Sequence, residues 1–317
     1  MTLISVIIPA FNEAGNLEIL TSRLIEVFKE IPYQLEIIVI NDGSSDDSQA
    51  TIEALSSVFN NFFYLNLSRN FGQQSALKAG YDYSRGDAVI CMDADLQNPP
   101  EMIFLLLKKW EEGYEIVLCK RKNANQGAGY FKKFSSKFFY KALSLLSEVP
   151  VERDTPDFRL LDRKLVQIIK QLPEKDIFLR GIISWAGFNR AIVEYCHGPR
   201  FRGHTNYSIG KMVALAATGI TSFSARPLHI AIYMGLFFSG LSLLFITYAI
   251  VRYYQGHTIS GWASLIVTVT FLGGLQLFIL GIIGLYIGKL LIQAKQRPDY
   301  VIRNTNMEFS TEISSFK

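Results

Sequence analysis

Short, nearly continuous apolar runs rich in β-branched and aromatic residues alternate, from Leu3 to Cys119, with stretches whose apolar positions recur every three to four residues. The runs at 3–8, 35–40, 62–67, 88–92 and 115–119 predict strands that are apolar on both faces and therefore buried. The segments between them, 16–30, 46–58, 73–84 and 100–113, predict helices. This alternation predicts a mainly parallel, Rossmann-like α/β sheet covered by helices on both faces. Turn chemistry agrees: Asn41-Asp42-Gly43 closes a strand, Ser45-Asp46 caps a helix, and Pro99-Pro100 opens the next.

The pattern then changes. Residues 130–149 interleave Lys132, Lys133, Lys137 and Lys141 with Phe131, Phe134, Phe138, Phe139, Leu143 and Leu146, which predicts an amphipathic helix lying on a bilayer. The alternative is a helix packed on the domain with a solvated basic face. Two long apolar segments follow, 228–251 and 262–288, without Asp, Glu, Lys or Arg at their centres. Each reaches the roughly 20 residues needed to cross a hydrocarbon core. Their link, 252–261, is too short for a domain, so they predict a transmembrane hairpin. Arg226 precedes the pair and Lys289, Lys295 and Arg297 follow it, against Arg252 alone in the link. The positive-inside rule then places the catalytic domain and both termini in the cytoplasm. Gly284 and Gly288 are spaced for close helix approach, either between the two spans or in a homo-oligomer. The expected layout is a nucleotide-binding core at 1–125, an acceptor-side and membrane-interface region at 126–226, two spans at 227–290 and a polar cytoplasmic tail at 291–317.

Composition supports a membrane protein. The chain has 317 residues, 49% of them hydrophobic, and a mean hydropathy of +0.19, too apolar for an ordinary soluble enzyme. The net charge of +4 has its basic residues clustered around the apolar segments, which suits anionic lipid and argues against nucleic acid. Cys91, Cys119 and Cys196 lack metal-ligand spacing and read as reduced structural residues. A strand begins within a few residues of Met1, leaving no room for a signal peptide.

The predicted strand ends carry the chemistry. Pro9 to Glu13, Asn41 to Ser44 and Asp93 to Gln97 each follow an apolar run, and open α/β sheets bind ligands beyond the carboxyl ends of their strands. Asp93 and Asp95, separated by Ala94, offer hard oxygen ligands for Mg²⁺ or Mn²⁺, ions that typically bind substrate phosphates as well. A sugar nucleotide fits this set. The metal would act as a Lewis acid on the diphosphate leaving group. Asp42 suits the imide N–H of uracil, although guanine presents an N–H as well, so UDP and GDP both stay open. Pro9 and Phe11 suit the base and ribose pocket and Glu13 the ribose or diphosphate. The alternative for Glu13 is an acid favoured at a helix start.

Pro9-Ala10-Phe11-Asn12-Glu13, Asn41-Asp42-Gly43-Ser44, the run Asp93-Ala94-Asp95-Leu96-Gln97-Asn98-Pro99-Pro100 and the terminal hairpin resemble the polyprenyl-phosphate glycosyltransferases of glycosyltransferase family 2. That resemblance implies a GT-A catalytic domain with a divalent metal. It also implies inverting transfer of one sugar from a nucleotide to a membrane-borne lipid phosphate, and the two-span C-terminus is most similar to the bactoprenol glucosyltransferase branch. By position it implies Pro9, Phe11, Glu13, Ile40 and Asp42 for the nucleotide, and Asp93, Ala94, Asp95 and Gln97 for diphosphate and metal. It implies Arg121 for holding phosphate, Asp157-Phe158-Arg159 as a loop facing the reacting centre, and Arg200 and Arg202 at the acceptor phosphate. Here the chain departs from the family pattern, carrying Asn206 where a lysine is usual; Lys211 or Arg202 could supply that charge. Headgroup attraction alone is the alternative for Arg200 and Arg202. The segment 178–188, with Arg180 and Trp185, is similar to the family near the lipid entrance, with core packing as the alternative for Trp185.

An acceptor phosphate is largely ionised at neutral pH and needs positioning rather than a base. Arg121, Arg159, Arg200 and Arg202 are candidates for holding it, Asp95 serves the leaving diphosphate, and Asp157 would orient a sugar hydroxyl or an acceptor group. The favoured partners are UDP-glucose and undecaprenyl phosphate at the cytoplasmic leaflet. A mannosyl or aminoarabinosyl transferase is the alternative within the class, and an inactive sugar-nucleotide sensor is the alternative outside it. A processive synthase would need more than two spans.

Overall fold

The computed structural model describes residues 1–122, 155–175, 178–196, 224–256 and 261–308. These residues fall into two compact units, one within Met1–Lys137, Val149–Ile209 and Pro298–Lys317, the other within Phe138–Glu148 and Gly210–Arg297.

The first unit is built around one eight-stranded sheet. Its elements run β1 (Leu3–Ala10), α1 (Ala14–Lys29), β2 (Gln34–Asn41), α2 (Ser48–Val58), β3 (Phe62–Leu67), α3 (Gln73–Tyr83), β4 (Ala88–Cys91), α4 (Ile103–Glu111), β5 (Ile116–Lys122), β6 (Arg159–Asp162), α5 (Arg163–Gln171), α6 (Leu179–Trp185), β7 (Arg190–Cys196) and, after the second unit, β8 (Ile302–Thr305). The strand order is β7-β5-β6-β4-β1-β2-β3-β8. Pairings β1–β2, β1–β4, β2–β3 and β5–β7 are parallel, whereas β6 is antiparallel to β4 and β5, and β8 is antiparallel to β3. Six strands therefore share one direction, and β6 and β8 run against it.

The central strands form because their residues are apolar on both faces: Ile4, Val6, Ile7, Ile8, Ile37, Ile38, Val39, Ile40, Val89 and Ile90 are fully buried. Helix α1 lays Leu17, Leu20, Leu24, Val27 and Phe28, spaced for one helical face, onto this core. Helix α3 meets the opposite side so closely that a Cβ on Gly80 would come within 2.9 Å of Ile40 Cδ1. Asp162 caps α5 by accepting from Lys164 N at 2.9 Å and also accepts from Trp110 Nε1 at 2.8 Å. Cys91 and Cys119 are buried free thiols, and burial pushes Cys119 up to about 12.

Three strands depart from expectation. β6 is only four residues long and inverted, β7 carries Arg190 and Glu194 among its apolar positions, and β8 lies in the stretch read as a polar tail. β8 is polar because it covers a sheet edge, where one side remains solvated. Asn306 fastens it by donating to Phe62 O at 3.0 Å and accepting from Tyr64 N at 2.9 Å, and Tyr300 Oη donates to Asp82 Oδ2 at 2.8 Å.

The second unit contains two long helices, α7 (Arg226–Tyr254) and α8 (Trp262–Ala294). Arg226–Arg252 and Val267–Ala294 within them are long and apolar enough to cross a membrane. Leu236, Phe245 and Leu277 are among many large apolar side chains left exposed there, a surface suited to lipid rather than water. Phe238 and Phe271 meet edge to face across the pair at 5.5 Å between ring centres. Among the described residues, nothing lies within 4 Å of where a Cβ would stand on Gly284 or Gly288. The amphipathic segment expected at 130–149 lies outside the described residues.

Candidate active site

The strand directions decide which residues meet. β2 ends at Asn41 and β4 at Cys91, so Asp42 and Asp93 leave the same edge of the sheet. β6 runs the other way, so its beginning reaches that edge: Arg159 pairs in register with Cys91, and Asp157 stands two residues before it. Arg121 and Tyr195, register partners near the ends of β5 and β7, complete the row.

Loops at this edge are tied to one another. Asn12, at φ +59°, accepts from Ser45 N at 2.8 Å and donates its own N–H to Ser44 Oγ at 3.0 Å, and Glu13 N donates to Ser48 Oγ at 2.9 Å. The loop after β1, which carries Phe11 and Glu13 just beyond Pro9, is thereby fixed against the start of α2. Phe11 is 46% exposed, which suits stacking, whereas Ile40 is fully buried under α3 and Ala94 is buried too. The Asp42 carboxylate is buried and accepts Phe71 N at 2.7 Å and Gly72 N at 2.9 Å. Burial raises its carboxyl above the usual range, against the opposing pull of those N–H groups and Arg69. Gly43 adopts φ +68°, and a Cβ there would stand 2.4 Å from the Arg69 carbonyl carbon. Gly43→Ala is therefore expected to lower stability by about 1–3 kcal/mol, seen as a lower melting temperature of the purified protein, because backbone rather than a flexible side chain blocks it.

The acidic loop after β4 is the most strained part of this edge. Leu96 has φ +59°, a left-handed conformation that costs a non-glycine residue about 1–2 kcal/mol. Gln97 N donates to Asp95 Oδ1 at 3.2 Å. Asp93 accepts from Asn98 Nδ2 at 3.2 Å and from Gln73 Nε2 at 3.1 Å. Burial, and then the Asp157 and Asp95 charges, push its carboxyl up to about 6. Asp157 is 3% exposed and ion-paired to Arg159, which is equally buried, and to Arg180 at 3.1 Å. Burial alone would raise Asp157, but the two guanidinium groups outweigh it and hold the carboxyl below the usual range. Tyr195 Oη donates to Asn98 Oδ1 at 2.6 Å; burial raises its phenol above the usual range, and the Arg121 charge works against that.

The geometry thus links Tyr195, Asn98, Asp93, Gln73, Asp157 and Arg180 in one chain of contacts, with Arg121 opposite Tyr195 in the sheet register. Of these, Gln73, Asn98 and Tyr195 were not singled out in the sequence, and Arg180 was placed nearby without its partner. Asn98 lies inside the quoted acidic motif and was the most accessible of them; an amide at a helix start and a tyrosine in an unpredicted strand carry no sequence signal. Arg200, Arg202 and Lys211, as well as Asn206, lie outside the described residues.

Comparison with known proteins gives this edge its context. The family model of glycosyl transferase family 2 matches residues 5–169, more than half of the chain. The chain belongs to glycosyl transferase family 2. As a member of that family it is a glycosyltransferase with a GT-A catalytic domain. An uncharacterized glycosyltransferase of Synechocystis is 43% identical over 94% of both chains. A bactoprenol glucosyl transferase of Shigella phage SfV is 40% identical, over 95% of this chain and 98% of the relative. A solved mannosyltransferase from Pyrobaculum calidifontis, in complex with GDP-Man and Mn²⁺, is 16% identical over 92% of this chain and 86% of its own, with a TM-score of 0.46. A likeness that loose transfers nothing to this glycosyltransferase.

Proposed function

We propose that this glycosyltransferase moves one glucose, with inversion, from UDP-glucose to undecaprenyl phosphate at the cytoplasmic leaflet. The observation that carries this reading is the likeness to bactoprenol glucosyl transferases over nearly the full length of both chains, the two apolar helices included. α7 and α8 would form the membrane hairpin, with the catalytic unit and both termini in the cytoplasm.

The donor side is assigned to Pro9, Phe11, Glu13 and Asp42 for the nucleoside and to Asp93, Asp95 and Arg121 for the diphosphate. Ile40 and Ala94 shape that pocket from within the core. A divalent cation fits the acidic loop. Burial and two neighbouring carboxylates make Asp93 costly to ionise, a penalty that a dication would remove. Among the described residues no three His, Cys, Asp or Glu side chains cluster as a complete cage. That suits Mg²⁺ or Mn²⁺ held by Asp93, Asp95 and Gln97 together with substrate phosphates and water. Such an ion would supply Lewis-acid stabilisation of the departing UDP. Arg121 Nε is buried without a hydrogen-bond partner among the described residues, which supports a phosphate oxygen as its acceptor.

On the acceptor side, Arg159, Arg200, Arg202 and Lys211 are the cations assigned to the lipid phosphate and its approach. The ionised phosphate attacks the anomeric carbon directly, so the enzyme positions it and moves no proton. Asp157, occupied by two arginines, holds one of these cations in place and takes no part as a base.

The test is transfer of label from radioactive UDP-glucose into organic-extractable lipid by the full-length protein in detergent with undecaprenyl phosphate. Metal-dependent incorporation, abolished by chelator and absent with GDP-mannose, is expected. Labelling from GDP-mannose or a UDP-aminoarabinose donor, with none from UDP-glucose, would overturn the donor assignment.

A further inference from the structure

Gln73 is the first residue of α3 and follows Gly72, whose φ of +94° turns the chain into the helix. Its single side-chain amide donates both ways, to Asp93 Oδ1 at 3.1 Å and to Asp157 Oδ2 at 3.3 Å. Those acids flank different strands, Asp93 after β4 and Asp157 before β6, and belong to different halves of the proposed reaction. The neighbouring residues act alike. Phe71 N and Gly72 N hold Asp42, and Gln74 Oε1 accepts from Leu179 N at 3.2 Å, at the start of the helix that carries Arg180. Four consecutive residues thus fasten three acids and one helix.

The Asp157 carboxylate has little capacity beyond this. Oδ1 accepts from Arg159 and from Arg180 Nε, and Oδ2 accepts from Gln73 and from Arg180 Nη2 at 3.4 Å. A carboxylate has about four lone-pair directions, so these donors use them all. An amide is well chosen for the link between two acids: its two N–H groups satisfy both, and it adds no positive charge to compete with a cation at Asp93.

We propose that Gln73 is a positioning residue for sugar transfer, its amide spanning Asp93 on the donor side and Asp157 on the acceptor side so that the two subsites stay in register. The inference rests on the transfer reading for its two sides, while the bridge itself rests on the contacts. Without the amide the two acids repel and separate, and a displacement of about 1 Å can cost on the order of 100-fold in rate. Nucleotide held at Asp42 should be unaffected.

The experiment is a double-mutant cycle of Gln73→Met and Asp157→Asn in the full-length detergent-purified enzyme. It is read as kcat and KM with UDP-glucose and undecaprenyl phosphate and, in parallel, as melting temperature without substrate. Gln73→Met is expected to lower kcat by about tenfold or more with KM for UDP-glucose within about twofold, and to cost under about threefold when Asp157→Asn is already present. Gln73→Glu, which places a third carboxylate between the two, is expected to be worse than Gln73→Met. Turnover of Gln73→Met equal to that of the unmodified enzyme, or losses that multiply in the double variant, would overturn the bridge. Should the unmodified enzyme transfer no glucose to the lipid, the donor and acceptor assignment fails by itself. The melting temperatures still decide the bridge then, with non-additive shifts upholding it and additive shifts overturning it.

Discussion

Asp95→Ala is expected to lower glucose transfer by about 10²- to 10³-fold while leaving the melting temperature nearly unchanged. Asp95 stands beyond the last residue of β4, outside the buried strand core, so its removal empties no packed space. What it does remove is one of two carboxylates assigned to the cation that offsets charge on departing UDP. The remaining acid, Asp93, already sits in a setting that disfavours its charge, so it cannot hold a dication alone with comparable affinity. Manganese binding followed by electron paramagnetic resonance should weaken in parallel with turnover. Normal turnover by this variant would contradict the metal assignment outright.

Asp157→Ala is expected to act differently, through stability as well as rate. Read from the sequence, the substitution should leave nucleotide binding intact. The structure adds that Asp157 is the acid between Arg159, itself buried, and Arg180. Deleting one partner of a buried ion pair leaves uncompensated charge and typically costs about 3–5 kcal/mol. For a catalytic unit of this size that is a fall in melting temperature on the order of 10 °C. Asp157→Asn, which keeps the shape and one acceptor oxygen, should fall less. At a temperature where the variant stays folded, UDP should still raise its melting point, because Asp42 and the loop that holds it are unchanged. A melting temperature equal to that of the unmodified protein would show that the pair contributes nothing.

How much was legible follows from what kind of signal each element leaves. The five apolar strands and four helices up to Cys119 were read close to their observed bounds, because strands buried on both faces have no choice of composition. The two long apolar helices were equally plain. β6, by contrast, was missed: a run of four residues, Arg159 to Asp162, holds too little periodicity to register, and its inversion cannot be seen in composition at all. β8 was missed because an edge strand is allowed to be polar.

The site divides in the same way. Asp42, Asp93 and Asp95 could be placed together at one edge of the sheet from sequence because each stands shortly after a buried strand and those strands run parallel. Local chain geometry determined that much, along with two helices long and apolar enough to cross a membrane. Tertiary structure alone decided that an inverted strand brings Asp157 to the same edge, that Arg180 and Gln73 join Arg159 in filling its acceptor positions, and that Gln73 reaches both Asp157 and Asp93. The contacts of Gln73 and Arg180 join residues some 20 to 84 positions apart, and a hydrogen bond between side chains leaves no periodicity in either partner's neighbourhood.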